Sequence, residues 1–385
     1  MTAPTATTRA ARPSLMRTLN EQLLLERLRG NGPVSRGDLA GASGLSKPTV
    51  ALALTSLERD ALVQQAGRRV GGRGRSASLY EIRSDAGFVL GLDVGREFVR
   101  GAVADLTGSV RARRSQAARS SSGAARVREL GGLASELLDE AGVDGDGALL
   151  HTVVGSPGIV EPDGRALQLA PNLPGWERPA VLRDLRRLLG LETTIENDVD
   201  AAAVAERDHG HGRQFSTFAF VSVGTGIGMG LILGGELHRG AHGAAGEIAF
   251  LPLADDSLES AASAAAVVDA ARQAGSMLRS ARAVFAAAAA GDRDAREVVA
   301  AEAAIVARAL VSIVAVVDPE LIVLGGGIGR APGFAEAVHA RLAELSPIVP
   351  EVRPSALGED AVVDGCLAVG GDRLWDRILS SRGTA

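Results

Sequence analysis

The sequence of 385 residues predicts an α/β protein in two parts, a small N-terminal domain built on three helices and a larger domain with two lobes. Three observations predict this fold. Leucines recur at helical spacing between residues 15 and 57, the net charge changes sign near residue 84, and three apolar strands each run into a glycine-rich turn. A chain of this length exceeds one compact core. We predict a disordered tail at 1–14, a first domain at 15–84 and a second domain at 85–385.

The first domain has the pattern of a helix-turn-helix. Leucines from Leu15 to Leu28 predict a helix that stops in the Gly/Pro-rich stretch 30–33. Ser35 predicts the cap of a short second helix, and Ser46 predicts the cap of a third helix with Pro48 in its first turn. The glycine-containing turn 41–45 joins these last two helices, as the motif requires.

The residues that could contact DNA lie in the last helix of this motif and in the loop that follows. The N-terminal residues of such a helix enter the major groove. Two short strands, 62–65 and 78–82, then flank an arginine- and glycine-rich loop, the pattern of a wing that follows a groove. The predicted DNA contacts are Arg36, Ser46, Lys47, Thr49, Arg73 and Arg75. The sequence thus predicts a winged helix-turn-helix, with a small protein-interaction module as the alternative.

The charge distribution agrees with this interpretation. Residues 1–83 carry a net charge of +7 and the rest −12, which together give −5. Lys47 is the only lysine, so the basic charge is almost all arginine. Because neutralised phosphates supply most non-specific DNA affinity, a basic head on an acidic body favours DNA binding over a merely solvated basic surface.

Three strand–turn units mark the second domain. Residues 88–95 form a strand that ends in Asp93-Val94-Gly95, and 99–105 return as the second strand of a hairpin. Residues 218–223 run into the turn 224–228, and 321–324 run into the turn 325–327. Glycines let phosphates approach the backbone, although such turns also serve tight packing. We expect a solvated turn at 111–114 and helices within 261–290 and 295–317.

Over nearly its whole length the chain resembles the ROK family, which is named for repressors, open reading frames and kinases. The residues that carry the resemblance lie at 44–50 (Gly-Leu-Ser-Lys-Pro-Thr-Val), 155–158 (Gly-Ser-Pro-Gly), 170–176 (Ala-Pro-Asn-Leu-Pro-Gly-Trp), 196–198 (Glu-Asn-Asp) and 240–248 (Gly-Ala-His-Gly-Ala-Ala-Gly-Glu-Ile). The last of these is the most specific. The resemblance implies a two-lobed, actin-like domain of sugar-kinase type for residues 85–385.

The resemblance also implies a sugar site in the cleft between the lobes. The residues it places at or near sugar hydroxyls are Pro157, Gly158, Asn172, Asn197, Asp198, Glu247 and Glu259. Carboxylates and amides suit this task, because each can bridge adjacent hydroxyls in a pocket that excludes water. In the family's kinases the residue matching Asp198 is the general base. We assign Asp198 a ligand role and predict no catalytic residue; a helix cap is the alternative for Asn197 and Asp198.

Two departures from the family's pattern favour a sensor. Where the kinases have Gly-Thr after the first loop, this chain has Arg96-Glu97, bulky charged side chains at the place of the phosphates. Many members also hold a structural zinc with one histidine and three cysteines, whereas this chain has Ala249, Phe250 and no cysteine in 251–258. We therefore expect no structural zinc and no other cofactor, as in the xylose-repressor-like branch.

Together these features predict a transcriptional repressor or activator of carbohydrate-metabolism genes whose affinity for operator DNA changes when a sugar or sugar phosphate binds. A homodimer or homotetramer is expected. A cytoplasmic location is expected because Cys366 is the only cysteine, the N-terminus has no apolar leader and the apolar stretch 309–317 is too short to span a membrane. Two alternatives stay open: an ATP-dependent sugar kinase that retains a DNA-binding head, and a ligand-independent scaffold.

Overall fold

The N-terminal domain consists of three helices and a three-stranded sheet. The structure is a computed structural model that describes residues 13–70, 76–120, 122–143, 149–161, 166–170, 173–190, 192–253 and 256–382. Most of the predicted tail 1–14 lies outside this range, and the first helix begins at Pro13. The elements of this domain are α1 (Pro13–Arg29), β1 (Val34–Ser35), α2 (Arg36–Ser43), α3 (Lys47–Arg59), β2 (Val63–Val70) and β3 (Ser76–Ile82).

The predicted helix-turn-helix and wing strands are confirmed. Ser35 caps α2 by accepting from Asp38 N at 3.2 Å, and Gly44 ends that helix region in the left-handed conformation with φ of 70°. The strands β2 and β3 pair antiparallel. One strand was not predicted: β1 pairs with β3, so the sheet order is β1-β3-β2.

The second domain begins with a lobe built on a five-stranded sheet of order β10-β7-β4-β5-β6. The elements of this first lobe are β4 (Gly87–Val94), β5 (Phe98–Asp105), β6 (Val110–Ala117), α4 (Gly123–Ala141), β7 (Leu149–Ser156), β8 (Ile159–Val160), β9 (Leu167–Gln168), α5 (Pro179–Leu189), β10 (Thr193–Asn197) and α6 (Asp198–His209). The solvated turn expected at 111–114 is wrong. These residues lie in β6, where Arg111 pairs with Asp105 at 2.6 Å and Arg113 with Asp364 at 2.5 Å.

The second lobe repeats the topology of the first. Its elements are β11 (Phe218–Val223), β12 (Ile227–Leu233), β13 (Glu236–Leu237), β14 (Pro252–Leu253), β15 (Asp256–Ser257), α7 (Leu258–Ala261), α8 (Ala264–Gln273), α9 (Ala281–Ala289), α10 (Arg293–Val317), β16 (Leu321–Gly325), α11 (Gly326–Gly329), α12 (Phe334–Leu345) and β17 (Glu351–Pro354). One further helix, α13 (Ala361–Ser381), follows them. The main sheet has the order β13-β12-β11-β16-β17. In each lobe an antiparallel three-stranded meander is extended by two parallel strands beside its first strand.

The long helix α10 forms much of the core of the second lobe. By length and composition it is the one helix in the described part of the chain that could span a membrane. Half of its most apolar window is buried, and residues such as Val306, Leu310 and Ile313 pack inside the lobe. It is therefore a core helix of this lobe. The apolar segment is longer than the stretch 309–317 noted in the sequence.

The last helix, α13, returns to the first lobe and packs between its sheet and α6. Glycines make this close approach possible. A Cβ at Gly155 of β7 would lie 2.6 Å from Val362 Cγ1, and Gly365 leaves no room for a side chain against the Ala201 carbonyl of α6. Cys366 is buried in the same seam. The helix α13 is thus fixed rigidly against α6, which begins at the predicted sugar site.

Candidate functional site

The predicted sugar-site residues of the first lobe lie where its parallel strands end. Both β4 and β10 run parallel to β7, with Asp93 opposite Gly155 and Asn197 opposite Ser156. Since the carboxyl ends of parallel strands open onto ligand crevices, Asp93 and the Asn197-Asp198 pair face the same cleft edge.

Asn197 joins the two segments that sequence analysis placed at the sugar. Its Oδ1 accepts from Val199 N at 2.9 Å and Asp200 N at 3.0 Å, which caps α6. Its Nδ2 donates to Gly158 O at 3.0 Å. The cap that was the alternative for this residue is therefore present, and the same side chain fixes the Pro157-Gly158 loop beside it.

Asp198 is the first residue of α6, and its carboxylate accepts from Val199 N at 2.9 Å. Burial raises the pKa of Asp198 to about 6. A carboxyl with a pKa near the working pH can both accept and release a proton, so the group suits either hydroxyl recognition or base catalysis.

The second lobe contributes two further carboxylates. Burial raises the pKa of Glu247, and the negative charges of Asp198 and Glu259 raise it further, so these three acids lie near one another. Glu259 lies on α7 against the glycine-rich turn, where a Cβ at Gly226 would be 2.8 Å from its Oε1. The structure thus brings Gly158, Asn197, Asp198, Glu247 and Glu259 to one cleft, while Asn172 lies outside the described residues.

Three residues at this cleft were missed by the sequence analysis. Arg239 of the second lobe donates to both oxygens of the buried Glu196 in the first lobe, at 3.0 and 2.5 Å. Asp200 is buried beside them, and burial together with the charge of Glu196 raises the pKa of Asp200 well above its usual range. No local signal marks the pair of Glu196 and Arg239, because these residues are 43 positions apart.

On the side of the cleft where a nucleotide would lie, Asp93 already has a partner. Arg100 of β5 donates from Nη1 to Asp93 Oδ2 at 3.3 Å and from Nη2 to Glu359 Oε2 at 2.8 Å. Burial raises the pKa of Asp93 to about 7, the charge of Asp198 adds to this, and Arg100 opposes it. The hairpin register places Asp93 directly opposite Arg100, a signal that the sequence did contain.

That Arg96 and Glu97 disfavour phosphates at this loop stays a prediction. Both side chains are exposed in the turn between β4 and β5, and the Glu97 carbonyl accepts from Ala118 N at 2.8 Å. Two arginines reach the first phosphate-type loop: Arg100 pairs with Asp93, and the buried Arg126 of α4 donates to the Gly95 carbonyl at 2.5 Å. The other two glycine turns pack together, since Gly326 leaves no room for a side chain against the Val223 carbonyl.

Phe250 stands where many family members have their zinc-binding histidine. It lies in a short 3-10 turn and is 57% exposed. Among the described residues there is no group of three or more His, Cys, Asp or Glu arranged to hold a metal ion. The expectation of a zinc-free protein stays a prediction.

The candidate DNA interface is the start of α3. Ser46 caps this helix by accepting from Thr49 N at 3.2 Å, and the Ser46 and Thr49 hydroxyls are 2.8 Å apart. Lys47 is exposed at the first helical position. The Arg36 guanidinium lies over the buried Tyr80 ring at 5.0 Å. Arg73 and Arg75 lie outside the described residues.

The N-terminal domain, the head, contacts α13 and the residue after it through polar and apolar groups. Arg382 pairs with Glu21 of α1 at 2.6 Å and with Asp60 at 2.9 Å, and Gln22 donates to Leu379 O at 2.7 Å. Trp375 and Ile378 of α13 belong to the same buried cluster as the core leucines of the head. A continuous set of packed elements therefore leads from the cleft through α6 and α13 to the head.

Comparisons with known proteins agree with this architecture. The model of the ROK family matches residues 89–370. The chain is 25% identical to the xylose repressor of Caldicellulosiruptor bescii over 61% of its own length and 59% of that repressor's length. A solved ROK family transcriptional regulator, described as a homologue of the E. coli MLC protein, covers 96% of this chain and 99% of its own, with a TM-score of 0.75 and 22% identity.

Kinases are also among the similar structures. The ROK hexokinase from Thermus thermophilus covers 75% of this chain and 99% of its own, with a TM-score of 0.62 and 28% identity. The regulator's match extends over the N-terminal head as well as the two lobes, which confirms the predicted fold class. Because the family model matches well over half of the chain, the chain belongs to the ROK family.

Proposed function

We propose that this protein is a cytoplasmic, sugar-responsive transcriptional regulator that binds DNA through its head and a sugar or sugar phosphate between its lobes. The observation that carries the proposal is the pairing of Arg100 with Asp93 beside an otherwise complete set of sugar-type carboxylates. Phosphoryl transfer depends on positioning and on stabilising charge at the phosphates. An internal arginine on Asp93 and a carboxylate against Gly226 both work against that.

Coupling between the two sites rests on differential affinity. A sugar that favours one arrangement of the lobes shifts the position of α6 and α13, and with it the spacing of two heads in a homodimer or homotetramer. The xylose repressors among the relatives support a regulator of this kind.

A sugar kinase with a DNA-binding head is the second candidate. It is favoured by Asp198, whose raised pKa suits a general base, and by the similarity to a hexokinase. The proposed regulator includes two further points. Asp198 and its neighbours bind the ligand, and the protein holds no structural zinc.

One experiment separates sensor from kinase. A thermal-shift screen of the whole protein against monosaccharides and their phosphates identifies a ligand, because binding to the native state raises the melting temperature. The same preparation is then incubated with that ligand, ATP and magnesium in a coupled assay for ADP. We expect stabilisation without sugar-dependent ADP. Sugar-dependent ADP production at a kinase-like rate, lost in Asp198→Asn, would establish the kinase instead.

A further inference from the structure

The outward face of helix α3 carries an exposed leucine among its polar residues. Its buried side chains, Val50, Ala53, Leu54 and Leu57, pack into the core of the head. On the opposite side the exposed residues recur every three or four positions and are Pro48, Leu52, Thr55 and Arg59. The side chain of Leu52 is 74% exposed in the middle of this face.

The hydroxyl groups near Leu52 already have partners. Thr55 Oγ1 donates to Ala51 O at 3.0 Å, and the Ser46 and Thr49 hydroxyls bond to each other as they cap the helix. The exposed side chain in the middle of this face is therefore aliphatic. Lys47 lies five residues before Leu52, at the start of the helix, with a positive charge suited to a phosphate or a base edge.

The major groove offers an aliphatic side chain one apolar group among the four ordinary bases, the 5-methyl of thymine. A helix-turn-helix places this face of its last helix against base edges. We propose that Leu52 is a specificity-determining residue that reads a thymine methyl in each half-site of the operator. The inference rests on the proposed DNA-binding function and adds to it the base that the helix recognises.

The test removes the methyl group without changing any hydrogen-bonding group. Binding sites are first selected from a random DNA duplex library with the full chain. Each thymine of the selected site is then replaced singly by deoxyuridine, and the Kd is measured by fluorescence anisotropy for the wild type, for Leu52→Ala and for Leu345→Ala. Leu345 is an exposed leucine of α12 and serves as the matched control.

We expect one thymine per half-site at which deoxyuridine weakens wild-type binding about fourfold, as for one buried methyl group. Leu345→Ala keeps that difference, whereas Leu52→Ala binds thymine and deoxyuridine duplexes equally. Because Leu52 is exposed, its truncation leaves the head folded, which circular dichroism checks.

Three results would overturn the inference while the proposed regulator stands. They are sequence-specific binding that tolerates deoxyuridine at every position, a thymine preference that survives in Leu52→Ala, and a change in oligomeric state rather than in DNA affinity when Leu52 is truncated. A chain that selects no DNA sequence at all, with or without sugar, would instead remove the proposed function itself.

Discussion

Glu302 is a buried carboxyl group that should lower the free energy of unfolding at neutral pH. It lies in α10 with 3% exposure, and its Oε1 has no hydrogen-bond partner among the described residues. Burial raises the pKa of Glu302 to about 8. The native state therefore holds a neutral acid at pH 7, where the unfolded chain is ionised.

This raised pKa predicts a pH-dependent gain from Glu302→Gln. A carboxyl whose pKa is raised by folding stabilises the native state only below its unfolded pKa, and the contribution is lost as the pH rises toward 8. The neutral variant should match the wild type near pH 4 and exceed its free energy of unfolding by about 3 kcal/mol at pH 7.

Urea unfolding at the two pH values measures this difference. Glu297→Gln is the control, because Glu297 lies on the same helix in an exposed pair with Arg293 and should change stability by about 0.5 kcal/mol or less. An equal effect of Glu302→Gln at both pH values would show that the buried carboxyl is not neutral in the native state.

Asp198 is the central residue of the proposed sugar site. Replacing it by asparagine removes a hydrogen-bond acceptor for hydroxyls while keeping the shape, so sugar affinity should fall about tenfold or more. Isothermal calorimetry with the ligand found by thermal shift measures the loss. The control is Asp208→Asn on the same helix, paired with Arg207 away from the cleft. Unchanged sugar affinity in Asp198→Asn would place the ligand elsewhere.

At the scale of single elements, the start of α3 is the proposed contact between the head and DNA. Lys47→Ala should weaken binding and reduce the dependence of log Kd on log salt by about one unit, because one phosphate contact is lost. Titrations at several salt concentrations give the slope. Arg293→Ala, an exposed cation of α10, is the charge-matched control. A slope equal to that of the wild type would mean that Lys47 faces away from the phosphates.

The contact between α1 and the end of α13 is the second element-scale feature. Arg382 is only 10% exposed and pairs with the buried Glu21. Arg382→Ala leaves Glu21 buried without its partner, so stability should fall by about 3 kcal/mol. The double variant Glu21→Gln, Arg382→Gln should recover part of this loss.

Thermal or urea unfolding checks the pair, with the exposed Arg373→Ala on α13 as control. Arg382→Ala should also reduce the effect of sugar on DNA affinity, since the head is then less firmly joined to α13. A variant as stable as the wild type, with full sugar response, would show that this contact carries no coupling.

Local patterns in the sequence predicted the elements well where the signal was local. The caps Ser35 and Ser46 and the strands before the three glycine turns all follow from spacing and residue type. The prediction of a solvated turn at 111–114 was wrong, because a run of charged residues is typical of a turn and the sequence does not show their ion-pair partners. Arg113 pairs with Asp364, 251 residues away.

The same limit applies to the site of the whole molecule. The family's motifs led to Asn197, Asp198, Glu247 and Glu259, but not to the bridge between Arg239 and Glu196 or to Arg100 on Asp93. These contacts form only when two lobes or two strands are brought together. The head likewise shares its core with α13, a contact across most of the chain that no local pattern contains.

At the scale of the whole molecule, α6 and α13 connect the cleft to the N-terminal head. Allosteric coupling of this kind typically changes affinity about 5- to 150-fold. The most direct measurement is the Kd for a selected DNA site, with and without a saturating sugar, in the same buffer. We predict a change of at least about fivefold for the wild type, and a smaller change for Asp198→Asn at a sugar concentration that just saturates the wild type. A sugar that binds in the cleft but leaves the Kd for DNA unchanged would contradict the account.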